Sequence, residues 1–251
     1  MGTDLFDMTG KVAVVTGGSR GLGREMVLAF AERGADVVIA SRKLDNCEAV
    51  AEEVRSLGRR ALAVAYHAGS WDGAEQLAAA AYAEFGTIDV LVNNAGMSPL
   101  YPSVDSITED LYDKVMGVNL KGPFRLSAIV GTKMAAEQGG SIIFVSSVAS
   151  QRTSPSELVY GAAKAGVNAL TYGLARTFGP KVRVNCIVPG PFLTDISKAW
   201  DLEAFNRGAK VGFALERGGE PHEIVGAALY FASGAGSYTT GTTLNVDGGP
   251  R

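Results

Sequence analysis

Histidine, cysteine and net charge are all scarce in this chain, and each scarcity removes a class of function. Only two histidines, His67 and His222, occur in 251 residues. A histidine-built metal centre is therefore not expected, and no metal site is assigned. Cys47 and Cys186 are the only cysteines and lie far apart, with no CxxC spacing. Neither a disulfide framework nor a thiol-redox motif is in view, and a reducing cytoplasm is the simple expectation. A net charge of −3 offers no basic surface to a nucleic acid. No apolar run approaches the ~18 residues of a membrane span. Met1 to Gly10 carries Asp4 and Asp7 and lacks the apolar centre of a signal peptide.

What is present is a soluble composition, 47% apolar and 20% charged, with 32 glycines. Many of those glycines follow short apolar runs. Lys11 to Val15 reads as a strand, and Thr16-Gly17-Gly18-Ser19-Arg20-Gly21-Leu22-Gly23 follows it. Met26, Val27, Phe30 and Ala31 then recur at helical spacing. Strand, glycine turn and helix together suit a pyrophosphate, because glycine lets the backbone approach and a helix N-terminus offers free N–H groups. The spacing is GxxxGxG rather than the commoner GxGxxG. Gly17, Ser19, Arg20, Gly21, Leu22 and Gly23 are the expected contacts.

Asp36 to Ala40 is a second strand, followed by Ser41-Arg42-Lys43 with no carboxylate before Asp45. An acidic side chain at this place bonds the ribose 2′-hydroxyl of NAD. A hydroxyl and cations instead suit a 2′-phosphate, so Ser41, Arg42 and Arg20 point to NADP(H). The alternative is that these cations merely solvate a loop. Leu44 to Leu57 reads as a helix with Cys47, Val50, Val54 and Leu57 on its apolar stripe. Arg60 to Tyr66 and Thr87 to Val92 read as strands, with a helix from Trp71 to Phe85 between them. His67 and Ala68 fall where an adenine would lie, although a structural role for His67 is equally open. Asn93, Asn94, Ala95 and Gly96 end the fourth strand at its carboxyl edge, where open α/β sheets bind ligands.

Thr108 to Glu137 reads as one long helix, interrupted in pattern by Asn119 and Gly122-Pro123. Either the helix kinks at a functional position or there are two helices. Ser141 to Val145 and Val182 to Val188 are further strands, ended by Ser146-Ser147 and Pro189-Gly190-Pro191. Residues 195–215 read as a loop carrying Trp200, Phe205 and Phe213, and Pro221 opens a late helix. Thr243 to Val246 is the last strand. Strands alternating with helices predict one doubly wound, mostly parallel α/β sheet over 1–251, with a substrate loop around 191–215.

Tyr160 and Lys164 are four residues apart, so a phenol and an ammonium share a helix face. A nearby cation favours a phenolate, which would tune the tyrosine for proton transfer. A surface lysine beside a half-buried tyrosine is the plain alternative.

Taken together, Thr16-Gly17-x-x-x-Gly21-x-Gly23, Asn93-Asn94-Ala95-Gly96, Asn119, Ser147, Tyr160-x-x-x-Lys164, Pro189-Gly190 and Asp247-Gly248-Gly249 resemble the short-chain dehydrogenase/reductase family along essentially the whole chain. The resemblance implies a Rossmann fold, a nicotinamide cofactor and a catalytic Asn119-Ser147-Tyr160-Lys164 tetrad. It implies that Pro189, Gly190, Phe192 and Thr194 run along the nicotinamide. In the implied mechanism Lys164 lowers the Tyr160 pKa and bonds the nicotinamide ribose, and Asn119 holds a proton-relaying water. Family members are commonly homotetramers. The family's usual acidic residue after the third strand is replaced by His67. The expected activity is NADP(H)-dependent interconversion of a ketone and a secondary alcohol. Alternatives are a 3-oxoacyl-[acyl-carrier-protein] reductase, a sugar or polyol dehydrogenase, and a non-catalytic nucleotide sensor. Met97, Gln151, Val159 and Phe192 are the expected pocket walls.

Overall fold

Short apolar runs rich in valine, isoleucine and alanine build a sheet whose inner strands are buried and whose two edge strands are partly exposed. They form β1 (Val12–Thr16), β2 (Asp36–Ser41), β3 (Ala61–Ala65), β4 (Val90–Asn93), β5 (Gly140–Val145), β6 (Val182–Pro189) and β7 (Thr243–Val246). The computed structural model describes residues 4–194, 197 and 201–251. All seven strands pair in parallel, in the order β3-β2-β1-β4-β5-β6-β7. Parallel pairing needs crossover segments, and the helices between strands supply them. The order reverses between β1 and β4, which opens a crevice at their carboxyl ends.

Helices cover both faces. On one side α1 (Gly21–Glu32), α2 (Leu44–Ser56) and α8 (Val225–Ala232) bring Met26, Phe30, Val50 and Phe231 onto the sheet. On the other side α3 (Trp71–Phe85), α5 (Gly122–Ala136) and α6 (Leu158–Phe178) bring Leu77, Leu126 and Val167 against Phe144 and Leu91. Each fully buried side chain of this size contributes roughly 1.5–3 kcal/mol. This is the Rossmann-like architecture expected from the alternating pattern.

Local chemistry sets several boundaries. Ser70 caps α3 by accepting from the Gly73 N–H, and Gly86 ends it in the left-handed region at φ 77°. Thr108 caps α4 (Glu109–Met116) by accepting from the Leu111 N–H at 3.2 Å. A π-helical turn over Gly117–Lys121 joins α4 to α5, so the expected long helix runs through with a widened turn at Asn119. Gly122 has a packing reason. A Cβ there would sit 1.6 Å from the Ala68 carbonyl oxygen.

Two expectations need correction. Leu57 is exposed, because α2 ends at Ser56 and its buried stripe stops at Val54. The segment expected as a loop over 195–215 contains α7 (Leu202–Gly212), capped by the Asp201 side chain on the Ala204 N–H. Trp200 lies outside the described residues.

Candidate active site

The carboxyl end of β1 is braced before it turns. Thr16 pairs in register with Asn93. Its hydroxyl accepts the N–H groups of Asn94 and Ala95, both at 3.1 Å. The Asn94 side chain returns two bonds, to the Thr16 carbonyl at 3.0 Å and the Gly17 carbonyl at 3.2 Å. Gly17 takes φ 66°, and a Cβ on Gly23 would stand 2.1 Å from the Gly17 oxygen. Arg20 precedes α1 in an extended conformation and gives no side-chain cap, and the first turn holds no acidic residue. The uncapped N–H groups and the positive end of the helix thus face the crevice. The side-chain direction of Gly21 points toward Thr194, whose Cγ2 would lie 3.6 Å from a Cβ at this glycine. The segment after β6 therefore stands across from the glycine turn.

At the end of β2 the Ser41 hydroxyl lies 2.8 Å from the Ser19 hydroxyl and 3.1 Å from the Cys47 sulfur. Arg20, Arg42 and Lys43 are exposed, and among the described residues none of them pairs with a carboxylate.

The four polar residues expected to act together come from four elements that meet at this edge. Asn119 is fully buried in the π turn. Its Nδ2 donates to the Met97 carbonyl at 2.8 Å and the Val115 carbonyl at 2.9 Å, and its Oδ1 accepts the Met97 N–H at 3.2 Å. Both amide hydrogens are thus used, and two of the three bonds fix Met97 after Gly96. A Cβ on Gly96 would lie 3.0 Å from Asn119 Oδ1 and 3.5 Å from Lys164 Nζ, which places all three together. Lys164 is buried, and burial pushes its ammonium down to about 8. Its Nζ donates to the Val145 carbonyl at 2.7 Å and lies 5.7 Å from the centre of the Tyr160 ring. One protein acceptor for a group with three donors leaves capacity for a ligand's hydroxyl groups.

Tyr160 is half-buried on α6. Burial pushes its phenol above the ordinary value, a hydrogen bond with Ser147 draws it back, and Glu157 pushes it up again. Ser147 follows β5 and accepts the Ala149 N–H at 3.1 Å, so its own O–H remains able to donate.

Other expected residues have specific places. His67 is exposed, and its Nδ1 accepts the Gly69 N–H at 3.2 Å, which shapes its own loop. Ala68 is buried. The Gly190 N–H bonds the Val246 carbonyl at 3.0 Å beside Pro189. Phe192 is buried in the core, its ring against Gly219, so its side chain does not wall the crevice. Gln151 is exposed and exchanges amide bonds with Asn245, both at 3.1 Å. Three residues have supporting roles that the sequence reading did not assign. Thr16 braces the turn, and the Ser146 hydroxyl bonds the Lys164 carbonyl at 3.1 Å. The Tyr101 hydroxyl accepts the Leu158 N–H at 2.7 Å and donates to the Pro155 carbonyl at 2.8 Å, fixing the start of α6. Thr16 and Ser146 are small polar residues closing apolar strands beside glycine or serine, a pattern that would have marked both.

Among the described residues no group of three histidine, cysteine, aspartate or glutamate side chains suits a metal ion. No described helix is long and apolar enough to cross a membrane.

The family model for short chain dehydrogenases matches residues 11–204. The chain belongs to that family. An uncharacterized oxidoreductase of Mycobacterium tuberculosis is 41% identical, over 98% of this chain and 94% of its own length. The L-rhamnose 1-dehydrogenase (NAD(P)+) of Azotobacter vinelandii is 37% identical, over 95% of this chain and 96% of its own. A 7α-hydroxysteroid dehydrogenase, solved with NADH and 7-oxo glycochenodeoxycholic acid, superposes with a TM-score of 0.94 at 31% identity, over 100% of this chain and 98% of that one. This short-chain dehydrogenase/reductase is thus an oxidoreductase acting between alcohol and carbonyl, and it works with a nicotinamide cofactor as its family does.

Proposed function

We propose that the protein transfers hydride between NADP(H) and a ketone or secondary alcohol, using Asn119, Ser147, Tyr160 and Lys164. The observation that carries this reading is the half-buried Tyr160 phenol beside Ser147, with the buried Lys164 ammonium one helical turn behind it. The uncapped start of α1 and the remaining Lys164 donors fit a dinucleotide's pyrophosphate and ribose.

The nicotinamide supplies or accepts the hydride. Ser147 and Tyr160 hold the reacting oxygen by their hydroxyls. Tyr160 gives its proton to the oxygen as a carbonyl is reduced and takes one as an alcohol is oxidised. A phenol raised by burial is protonated at neutral pH, so the resting site is ready for reduction. Oxidation needs the phenolate and gains with rising pH. The Lys164 ammonium lies 5.7 Å from the centre of the Tyr160 ring, and contrary to the expectation that it would lower the phenol, burial raises Tyr160 and only Ser147 opposes that rise. Both Asn119 amide hydrogens are bonded, so a relay water at Asn119 would donate to an oxygen of this residue.

The NADP(H) preference rests on this chain's own residues, because its relatives are mixed: one bears NAD(P)+ in its name and one was solved with NADH. Arg20 and Arg42 are exposed, without carboxylate partners among the described residues, and no acidic side chain follows β2 before Asp45. The Ser41 hydroxyl is partly engaged by Ser19 and Cys47, which leaves the cations as the main attraction.

The reading of a 3-oxoacyl-[acyl-carrier-protein] reductase ranks second. Of the cations that could attract an acidic carrier, Arg125 pairs with Glu75 and Lys133 with Glu137, which leaves Arg176, exposed on α6, as the remaining one. The sensor reading ranks last, because all four tetrad positions are filled. We place the enzyme in the cytoplasm as a homotetramer of single 1–251 domains, a reading supported by two buried free thiols and by exposed Tyr112, Phe124 and Tyr172.

The test is initial rates with NADPH and NADH against 3-oxoacyl thioesters, diketones, aromatic ketones and keto-sugars. Turnover led by NADPH is expected. Preference for NADH would overturn the cofactor assignment, and cofactor binding without any turnover would favour the sensor.

A further inference from the structure

Tyr160, Lys164 and Asn168 occupy successive turns of one face of α6. The first two belong to the tetrad, and the third points the same way into a different set of bonds. Asn168 Nδ2 donates to the Ser150 hydroxyl at 2.9 Å. The Ser150 hydroxyl donates to the Ser147 carbonyl at 2.6 Å, and the Ser150 N–H bonds that same carbonyl at 2.9 Å. Behind Asn168, the Cys186 thiol on β6 faces its Oδ1 at 3.6 Å. The Ser150 proton is committed to a carbonyl, so Ser150 can only accept from the amide, and Asn168 must present its nitrogen there. Its oxygen is left for the thiol. Each partner thus fixes the orientation of the next.

This chain of bonds ends at the short turn over Val148–Ser150, which carries the Ala149 N–H that orients the Ser147 hydroxyl. We propose that Asn168 is a positioning residue: acting through Ser150, it holds the turn that aims the Ser147 hydroxyl at Tyr160 and the reacting oxygen. Asn168 touches neither substrate nor cofactor. Elsewhere the turn is tied by the Thr153 hydroxyl, which donates to the Ala149 carbonyl at 2.7 Å, and by the exposed Gln151–Asn245 amide pair, where water competes for the same bonds. The half-buried bond from Asn168 is a firmer restraint than that exposed pair. The inference rests on the reading of Ser147 and Tyr160 as the reacting pair.

The test compares Asn168→Leu, Ser150→Ala, their double variant and Ser147→Ala, in kcat, in cofactor Kd and in the pH profile of alcohol oxidation. Leucine keeps the size of Asn168 and removes the donor. Each single variant is expected to lose about tenfold in kcat, the order of one hydrogen bond's effect on a barrier, with cofactor Kd unchanged. The double variant should lose no more than the worse single, because both break one chain of bonds. Ser147 opposes the upward push of burial and Glu157 on Tyr160, while Lys164 faces the ring and is untouched by these changes. The acid limb should therefore move to higher pH in all four variants. Ser150→Thr, which keeps the hydroxyl, should recover most of the rate, and this pair decides the matter if Asn168→Leu does not fold. Wild-type kcat and pH profile in both single variants, beside a disabled Ser147→Ala, would overturn the inference. So would losses that multiply in the double variant. Full turnover in Ser147→Ala would instead remove the tetrad reading, and this inference with it.

Discussion

The glycine turn after β1 and the segment from Pro191 to Gly219 face each other across the crevice, but different forces hold them. The turn is fixed by side chains and by the absence of side chains. The Thr16 and Asn94 side chains together make five bonds to backbone groups there. Gly23 has no room for even a methyl group. The described part of the opposite segment is tied by a series of backbone bonds. Leu193 and Gly219 exchange them with Pro191 and one another, and Ala214 and Leu215 bond the carbonyls of Gly249 and Gly248. Around α7, Gly208 and Gly212 face open space and Val211 and Leu215 are exposed. A site for a shared cofactor needs particular residues. A wall for a variable substrate needs only a backbone path, which many sequences can follow.

Exchanging equivalent changes between the two sides should break that symmetry. The largest effect is expected for Gly23→Ala. A Cβ 2.1 Å from a backbone oxygen forces the turn apart, and a loss of about 3 kcal/mol or more in urea unfolding is expected, together with loss of dinucleotide binding. Next comes Arg42→Glu, which places a carboxylate where the proposed 2′-phosphate contact would be. The KM for NADPH should rise about 10–100-fold with little change for NADH, in line with two lost or reversed charge contacts. An equal effect on both cofactors would show that Arg42 only faces solvent.

A subtler contrast comes from Lys164, whose ammonium is lowered from 10.5 to about 8 by burial. The unfolded chain then binds more protons between those two values, so this group makes stability rise with pH from about 8 to 10.5. The pH dependence of unfolding in the wild type minus that in Lys164→Met should show this rise, and a flat difference would count against a buried charge. The smallest effect is expected on the substrate side. Gly208→Ala, inside α7 with nothing near, should stabilise by about 0.5–1 kcal/mol and leave cofactor affinity unchanged.

The same contrast explains what could be read from the residues alone. Strand runs and the glycine turn were legible because each demands a residue type, and the proposed tetrad residues could be named from spacing before the fold brought their elements to one edge. The helix Trp71–Phe85 and the strand Thr243–Val246 have the expected bounds. Asn119 and Gly122 stood out as violations of helical pattern, but the cause was not visible: a π turn, and an Ala68 carbonyl pressed against Gly122. Leu57 continued the apolar period one step past the end of its helix, since periodicity does not mark where a chain turns away. Ser41 read as a free hydroxyl, yet it bonds Ser19 and Cys47, partners brought near only by folding. The helix α7 was missed because Gly208 and Gly212 weaken its propensity, while Asp201 supplies the cap that starts it. His67 kept two readings open, and its loop bond to Gly69 gives the structural one a concrete form.

The most direct test of the account is Tyr160→Phe, measured for turnover and for NADPH binding in the same preparation. The account predicts turnover lowered by at least about a thousandfold, with NADPH affinity and unfolding midpoint close to wild type, because the change removes only the proton-transfer atom. Turnover within a few-fold of wild type would contradict it.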